Sequence, residues 1–213
     1  YAGTGIGTYT ARLLENIIKI DSRNNYRFFW PNEGYDFLLE RGNISLTLFG
    51  EKNKKFWDEI FLPAQVRINS CDVFHLPQNG LGLPKSKYCS YIATVHDLIP
   101  YVMPDTCGKS YLDKFLQEMP YIMEKCDRVI TVSNYSKHDI MKYFKLPEEK
   151  IKVTHLAADS RFRLMDKEKA WEFLKKVYSY SSDFILYLGG FSPRKNVDGL
   201  LEAYRRICRE LPG

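Results

Sequence analysis

Short apolar runs alternate with amphipathic segments along most of the chain. The runs Tyr91–Val95, Asp127–Val132 and Ile151–His155 are rich in β-branched and aromatic residues, which is typical of buried strands. The segment from Ser110 to Lys125 repeats its apolar residues every three or four positions, the spacing of an amphipathic helix. This alternation predicts a doubly wound α/β fold with a mostly parallel sheet.

Further strands are predicted earlier in the chain, at Tyr26–Trp30, Ile44–Phe49 and Asp72–Leu76. His75 is expected to lie inside the last of these strands, away from the functional edge of the sheet. A short helix is expected over Asn53–Phe61. Pro120 is expected to kink or break the helix that follows Ser110, because proline cannot donate the backbone hydrogen bond of a helix interior.

The alternation begins again after a polar run near residue 180. Phe184–Leu188 predicts a strand, Gly189-Gly190 a sharp turn, and Asp198–Leu211 an amphipathic helix. We therefore predict one domain over residues 1–180 and the start of a second over 181–213. One β-α unit cannot bury a core of its own. We expect this segment to be disordered, folded back, or exchanged with a neighbouring chain.

His96 and Asp97 follow the predicted strand Tyr91–Val95, and Ser133 follows the next predicted strand. Ligands of open α/β sheets bind beyond the carboxyl ends of the strands, so all three are candidates for lining a cleft. The alternative is structural: the histidine packs in a loop and its neighbour's carboxylate holds it.

Two segments are suited to phosphate. Gly3, Gly5 and Gly7 precede an amphipathic helix, where backbone N–H groups and the helix terminus favour an anion. A dinucleotide-binding loop would need G-x-G-x-x-G, but Thr8 stands at its third glycine position. The adjacent Arg194 and Lys195 could neutralise a diphosphate. A flexible glycine turn and a solvated basic turn are the respective alternatives.

Composition narrows the classes of function. The chain has 213 residues, 45% hydrophobic and 27% charged, a balance typical of globular proteins. Its five cysteines form no C-x-x-C pair, which argues against a zinc knuckle and favours reduced thiols in the cytoplasm. A net charge of +5 suits anionic ligands or a membrane surface and is too small to indicate nucleic acid.

Four motifs occur in an order that resembles the retaining nucleotide-sugar glycosyltransferases of the GT-B architecture, family 4, also called group 1. The motifs are Gly3–Thr8, Thr94–Pro100, Val129–Lys137 and Tyr187–Asn196. The last is most similar to bacterial mannosyltransferases of cell-surface polysaccharide synthesis. The resemblance implies a Rossmann-like N-terminal domain on the acceptor side and a C-terminal domain that binds the nucleotide-sugar and carries a carboxylate motif beyond Gly213. This chain alone is therefore expected to be inactive.

The resemblance also implies roles for individual residues. His96 would face the transferred sugar as the catalytic residue, while Gly5, Gly7, Arg194 and Lys195 would bind the donor diphosphate. It implies no metal and no cofactor. The expected donor is GDP-mannose, and the expected acceptor is a saccharide or lipid-linked saccharide. The protein would be cytoplasmic, with peripheral contact to the inner face of the membrane.

Two alternatives stay open beside this interpretation. The first is a non-catalytic sugar-nucleotide-binding module with the same fold. The second is an NAD-dependent oxidoreductase or epimerase, for which Glu33 would have to supply the acidic ribose contact. The imperfect glycine spacing and the basic pair at 194–195 count against the second alternative.

Overall fold

A computed structural model describes residues 4–31, 42–49, 52–179 and 184–210. Backbone contacts divide the chain into two compact units. The first unit comprises Tyr1–Val102 and Lys109–His155, and the second comprises Met103–Gly108 and Leu156–Gly213. The predicted domain boundary at 180–181 lies outside the described residues and stays a prediction, as do any structural roles for Gly3 and Glu33.

The first unit contains strands and helices in alternation. Its strands are β1 Tyr26–Pro31, β2 Ile44–Phe49, β3 Val73–Leu76, β4 Ser90–Thr94, β5 Arg128–Thr131 and β6 Ile151–Val153. Its helices are α1 Gly5–Ile20, α2 Lys54–Phe56, α3 Leu62–Ile68, α4 Ile99–Val102, α5 Lys109–Lys125 and α6 Asn134–Phe144. The second unit contains the helices α7 Lys167–Tyr178 and α8 Val197–Ile207.

Both sheets of the first unit are parallel. The larger has the order β3-β4-β5-β6, so β4 and β5 are interior strands, as predicted. The strands β1 and β2 pair with each other in a separate two-stranded sheet. Parallel strands, with helices between β4 and β5 and between β5 and β6, confirm the α/β, Rossmann-like class predicted for this part of the chain.

The core of the first unit is formed by the larger sheet together with α3, α5 and α6. Tyr91, Ala93 and Val95 are fully buried at alternate positions of β4 and just beyond it. From the helix side, Phe115 and Ile122 are also fully buried. Burying each large apolar side chain stabilises the fold by about 1.5–3 kcal/mol. This packing holds the strands in place, and with them the loops that follow β3, β4 and β5.

Helix α5 corrects part of one prediction, because it continues through Pro120 without a break. An interior proline costs a helix about 3 kcal/mol. Met119 and Ile122, on either side of it, are fully buried, and their packing offsets this cost. The ring of Pro120 itself lies on the exposed side of the helix.

The helical segment after β2 is longer than predicted. It passes from α2 through the π-helical turn Trp57–Phe61 into α3, instead of ending at Phe61. The rings of Trp57 and Phe61 meet edge to face with centroids 4.5 Å apart. This aromatic contact lies within the π-helical turn, which adds one residue to the helical repeat.

Only the helix of the predicted β-α pair is confirmed in the second unit. Helix α8 forms, but Phe184–Leu188 is not a strand. A strand needs a neighbour to satisfy its backbone groups, and the described part of the second unit contains none. Leu186 and Leu188 are consequently exposed to solvent, at 67% and 84% of their surface.

His75 lies inside β3, as predicted, with its Nε2 atom 2.8 Å from the Thr94 hydroxyl oxygen on β4. Partial burial of the ring disfavours the charged imidazolium and lowers the pKa of His75 from 6.5 to about 4. The folded protein therefore keeps this side chain neutral where an unfolded chain would already bind a proton.

The stability of the protein is expected to fall as the pH drops from 6.5 towards 4, because the unfolded state takes up a proton there and the folded state does not. The loss attributable to His75 should be about 1–3 kcal/mol. Urea unfolding at several pH values should give a flatter dependence for His75→Gln than for the wild type. His138→Gln, at an exposed position of α6, should keep the wild-type slope; equal slopes for all three proteins would contradict the prediction.

Candidate active site

Loops from three neighbouring strands meet at the carboxyl edge of the larger sheet. Pro77 follows β3, His96 follows β4, and Ser133 follows β5. The strands are parallel, so these segments leave the sheet on the same side. The structure therefore places His96 in the middle of this edge.

The backbone of His96 is held at both ends of the residue. Its N–H group donates to Asn79 Oδ1 at 2.9 Å. Its carbonyl oxygen accepts a hydrogen bond from Ser136 Oγ at 2.9 Å. Ser133 reaches the same group indirectly, because its hydroxyl donates to Ser136 Oγ at 3.0 Å. Side chains from both flanking loops thus fix the position of this residue.

The imidazole of His96 is also oriented. Its Nε2 atom lies 3.0 Å from the carbonyl oxygen of Pro77. A carbonyl oxygen only accepts hydrogen bonds, so the ring in this arrangement carries its proton on Nε2. Tyr9 of α1 contacts the ring edge to face, with centroids 4.7 Å apart. In the neutral ring Nδ1 is an acceptor, and it has no hydrogen-bond partner among the described residues.

Asp97 does not orient His96 by a hydrogen bond to the ring. Its Oδ1 atom accepts the N–H of Ile99 at 3.1 Å, at the start of α4. The carboxylate of Asp97 therefore does not hold the neighbouring imidazole, which contacts Pro77 and Tyr9 instead. The other part of the structural alternative, packing of the histidine in a loop, stays open. Ser133 is the N-cap of α6, where its hydroxyl oxygen accepts the N–H of Ser136 at 3.0 Å, as predicted for this helix start.

Gly5 and Gly7 lie in the first turn of α1 and not in a loop before it, which corrects the predicted helix start. Thr4 caps the helix, and its side-chain oxygen accepts the N–H of Gly7 at 3.1 Å. A side chain at Gly5 would meet no described atom within 4 Å, so this side of the helix terminus is open. Diphosphate binding by the two glycines stays a prediction.

Arg194 and Lys195 belong to the second unit. They form a single 3-10 turn, Pro193–Lys195, which is followed by Asn196 in the left-handed conformation and then by α8. Both cationic side chains are exposed. Their role at a donor diphosphate likewise stays a prediction.

Three residues near His96 escape the sequence analysis: Tyr9, Asn79 and Ser136. Asn79 precedes a glycine after a strand, which predicts a turn but gives no indication of its contact with His96. Tyr9 falls in the predicted glycine-rich loop but lies in α1, and Ser136 lies in the first turn of α6; both side chains contact His96. Only the approach of separate loops in the folded chain reveals these contacts.

No group of three or more histidine, cysteine, aspartate or glutamate side chains in the described ranges could hold a metal ion. All five cysteines are free, so none is tied into a disulfide. Within the same ranges no helix combines the length and apolar character needed to cross a membrane.

The sequence model of one protein family matches residues 4–162, a stretch that includes the whole sheet edge around His96. The chain belongs to Glycosyltransferase Family 4. The family-4 match contains Gly5, Gly7, His96, Asp97 and Ser133. Arg194 and Lys195 lie beyond it.

Curated proteins similar to this family-4 chain are mannosyltransferases by name. The chain is 30% identical to the O-antigen chain mannosyltransferase B of Escherichia coli over 122 residues, 56% of this chain and 31% of that protein. It is 25% identical over 122 residues to the serotype-specific mannosyltransferase WbdA of Escherichia coli, covering 56% of this chain and 15% of that protein. It is 28% identical over 109 residues to the O-antigen chain mannosyltransferase RfbU of Salmonella typhimurium, covering 51% of this chain and 27% of that protein.

The matched region spans less than a third of each of these relatives, at 31%, 15% and 27% of their lengths. The family membership and the α/β fold class are established for the part of the chain that the family model matches, residues 4–162. The NAD-dependent alternative loses its support, because residues 4–162 match Glycosyltransferase Family 4.

Proposed function

We propose that the whole protein is a retaining glycosyltransferase of the GT-B architecture, which transfers mannose from GDP-mannose to a saccharide or lipid-linked acceptor in cell-surface polysaccharide synthesis. The observation that carries this proposal is the anchored, half-buried His96 at the carboxyl edge of the larger sheet in a family-4 domain, with its Nδ1 acceptor without a partner among the described residues. The names of the similar mannosyltransferases support the sugar.

The proposed reaction breaks the bond between the sugar C1 and the diphosphate oxygen and forms a bond from C1 to an acceptor oxygen. Negative charge develops on the departing diphosphate while the sugar gains oxocarbenium character. Arg194 and Lys195 would neutralise that diphosphate, with the terminus of α1 near Gly5 and Gly7 as a second anion contact. The acceptor oxygen attacks C1 from the face that the diphosphate leaves, which retains the configuration at C1, and the acceptor proton passes to the departing phosphate oxygen.

His96 would accept a hydrogen bond from a sugar hydroxyl through Nδ1, because Nε2 already donates to Pro77. In this role it orients the sugar and stabilises the transition state without taking the acceptor proton. Asp97 and Ser133 would line the cleft. They would hold the local backbone in place, since their side-chain oxygens accept the N–H groups of Ile99 and Ser136. The mechanism requires no metal ion and no enzymic nucleophile.

A donor panel tests the proposal. The whole protein would be incubated with a lipid-linked oligosaccharide and, separately, GDP-mannose, UDP-glucose or UDP-N-acetylglucosamine, and the products analysed by mass spectrometry. We expect one added hexose with GDP-mannose and release of GDP, and little product with the other donors. Binding of GDP-mannose without transfer to any of a set of acceptors would instead identify a non-catalytic binding module.

We also propose that the protein works in the cytoplasm as a peripheral protein on the inner face of the membrane. In support, Phe56, Ile60 and Ile68 at four- and eight-residue spacing form an exposed apolar stripe on the helical segment 54–68. Ile60 and Ile68 expose 60% and 73% of their surface. The exposed cations Lys55 and Arg67 adjoin Phe56 and Ile68, while the exposed acidic residue Glu59 adjoins Ile60. Apolar side chains flanked by cations favour an anionic lipid surface.

Replacing both isoleucines of the stripe by serine is expected to lower binding to phosphatidylglycerol vesicles at least about 10-fold, since each apolar side chain contributes about 1.5–3 kcal/mol when it leaves water. Flotation of the Ile60→Ser/Ile68→Ser protein on a sucrose gradient would measure this. Leu164→Ser, at a fully exposed position of the second unit, is the control and should float like the wild type. Equal flotation of all three proteins would contradict the proposed surface.

A further inference from the structure

We propose that Asn79 is a positioning residue for His96: its side-chain amide holds the His96 peptide, so that the imidazole presents Nδ1 to the sugar. The kinetic part of this inference rests on the proposed function. The structural part, which concerns the orientation and tautomer of the His96 ring, does not.

Asn79 is buried, with only 3% of its surface exposed, although it lies in a loop. Its backbone is in the left-handed conformation, with φ 57°, which asparagine tolerates better than most residues. Its own N–H donates to the carbonyl oxygen of Thr94 at 2.8 Å, and its Oδ1 accepts the N–H of His96 at 2.9 Å. Asn79 therefore continues the pairing of β3 with β4 beyond the last strand residues.

The direction of the Asn79 amide is fixed by a second partner. Its Nδ2 group donates to the hydroxyl oxygen of Tyr111 on α5 at 3.3 Å. With the nitrogen turned towards Tyr111, the oxygen must face the peptide N–H of His96. The long helix α5 thereby supports an orientation that the loop would not maintain by itself.

The same loop fixes the imidazole as well as the peptide. Pro77 supplies the carbonyl oxygen that holds Nε2 at 3.0 Å, while Asn79 holds the backbone of the same histidine. Two contacts from one short turn define both the position of His96 and its tautomer. A histidine loosened at its backbone would lose the alignment with Pro77, and Nδ1 would no longer point in a single direction.

Two substitutions separate the side-chain contact from the unusual backbone. Asn79→Gly keeps the left-handed conformation accessible but removes the amide. Asn79→Asp also tolerates this conformation and keeps an oxygen that accepts the His96 N–H. The aspartate variant should therefore rescue what the glycine variant loses.

In the whole protein we expect Asn79→Gly to lower kcat about 10–100-fold with little change in KM for the donor, because misplacement of a positioned group costs the chemical step. Asn79→Asp should retain kcat within about 3-fold of the wild type, and Tyr111→Phe should lie between them. A change in the KM for the donor without a decrease in kcat would overturn the proposal. Equal decreases in kcat for the glycine and aspartate variants would also overturn it.

The second readout uses the 213-residue chain labelled with ¹⁵N-histidine. The wild type and Asn79→Asp should show one His96 tautomer with the proton on Nε2, and Asn79→Gly should show averaging between the two tautomers. An unchanged His96 spectrum in Asn79→Gly would overturn the proposal. If the wild type had no transferase activity, the proposed function would fail, and these spectra would still decide the role of Asn79. Should the glycine variant fail to fold, Tyr111→Phe provides the same comparison, with partial averaging expected and an unchanged spectrum contradicting it.

Discussion

Replacing Arg194 and Lys195 together by alanine is expected to lower kcat/KM for transfer from a nucleoside-diphosphate sugar by about 10³-fold in the whole protein. Loss of one donor that stabilises a developing anion typically costs about 10²–10³-fold. The two cations lie in one exposed turn directly before α8, so they can approach the same diphosphate. Initial rates with GDP-mannose at several donor concentrations would measure the effect.

The matched control removes two cations from another place in the same unit. Lys175 and Lys176 lie in the last turn of α7 and are exposed. The Lys175→Ala/Lys176→Ala protein has the same net charge as the Arg194→Ala/Lys195→Ala protein, so it corrects for long-range attraction of the anionic donor. Similar rates for the two double variants would show that charge alone matters and would contradict a specific diphosphate contact.

The second large effect is expected at His96. The His96→Ala variant should lower kcat about 10²-fold, because it removes the Nδ1 acceptor that orients the transferred sugar. The backbone contacts of this residue with Asn79 and Ser136 do not involve the ring, so the local fold should survive. Turnover at saturating donor would measure the loss.

Two further histidine variants make this result specific. His138→Ala changes an exposed side chain on α6 and should leave turnover unchanged. His96→Gln offers an amide N–H to Pro77 in place of Nε2–H but lacks the Nδ1 acceptor, so it should be nearly as slow as His96→Ala. Full activity of His96→Gln would mean that only the Pro77 contact matters, which contradicts the role given to Nδ1.

The interior of the sheet could be predicted from sequence because its signal is local. The residues of β4 and β5 are apolar or β-branched in unbroken runs, and interior parallel strands require this composition. The position of His96 at the carboxyl edge followed directly from the end of β4. The same reasoning located Ser133 as the cap of α6.

The remaining features depend on tertiary contacts that no local pattern contains. Pro120 predicts a kinked or broken helix, but α5 continues through it, because burial of its neighbours outweighs the local cost. Phe184–Leu188 has the composition of a strand but no pairing partner in the described second unit. Asn79 has a turn-forming sequence, and its bond to His96 arises only when β3 and β4 lie side by side.

The central claim is that His96 faces the transferred sugar, and one measurement addresses it directly. The whole protein, labelled with ¹⁵N-histidine, would be titrated with GDP and with GDP-mannose, each to saturation established by calorimetry. We predict that the His96 Nδ1 resonance shifts strongly with GDP-mannose and much less with GDP, while His138 stays unchanged with both ligands. Equal His96 shifts with the two ligands, or no shift at saturation, would contradict the account.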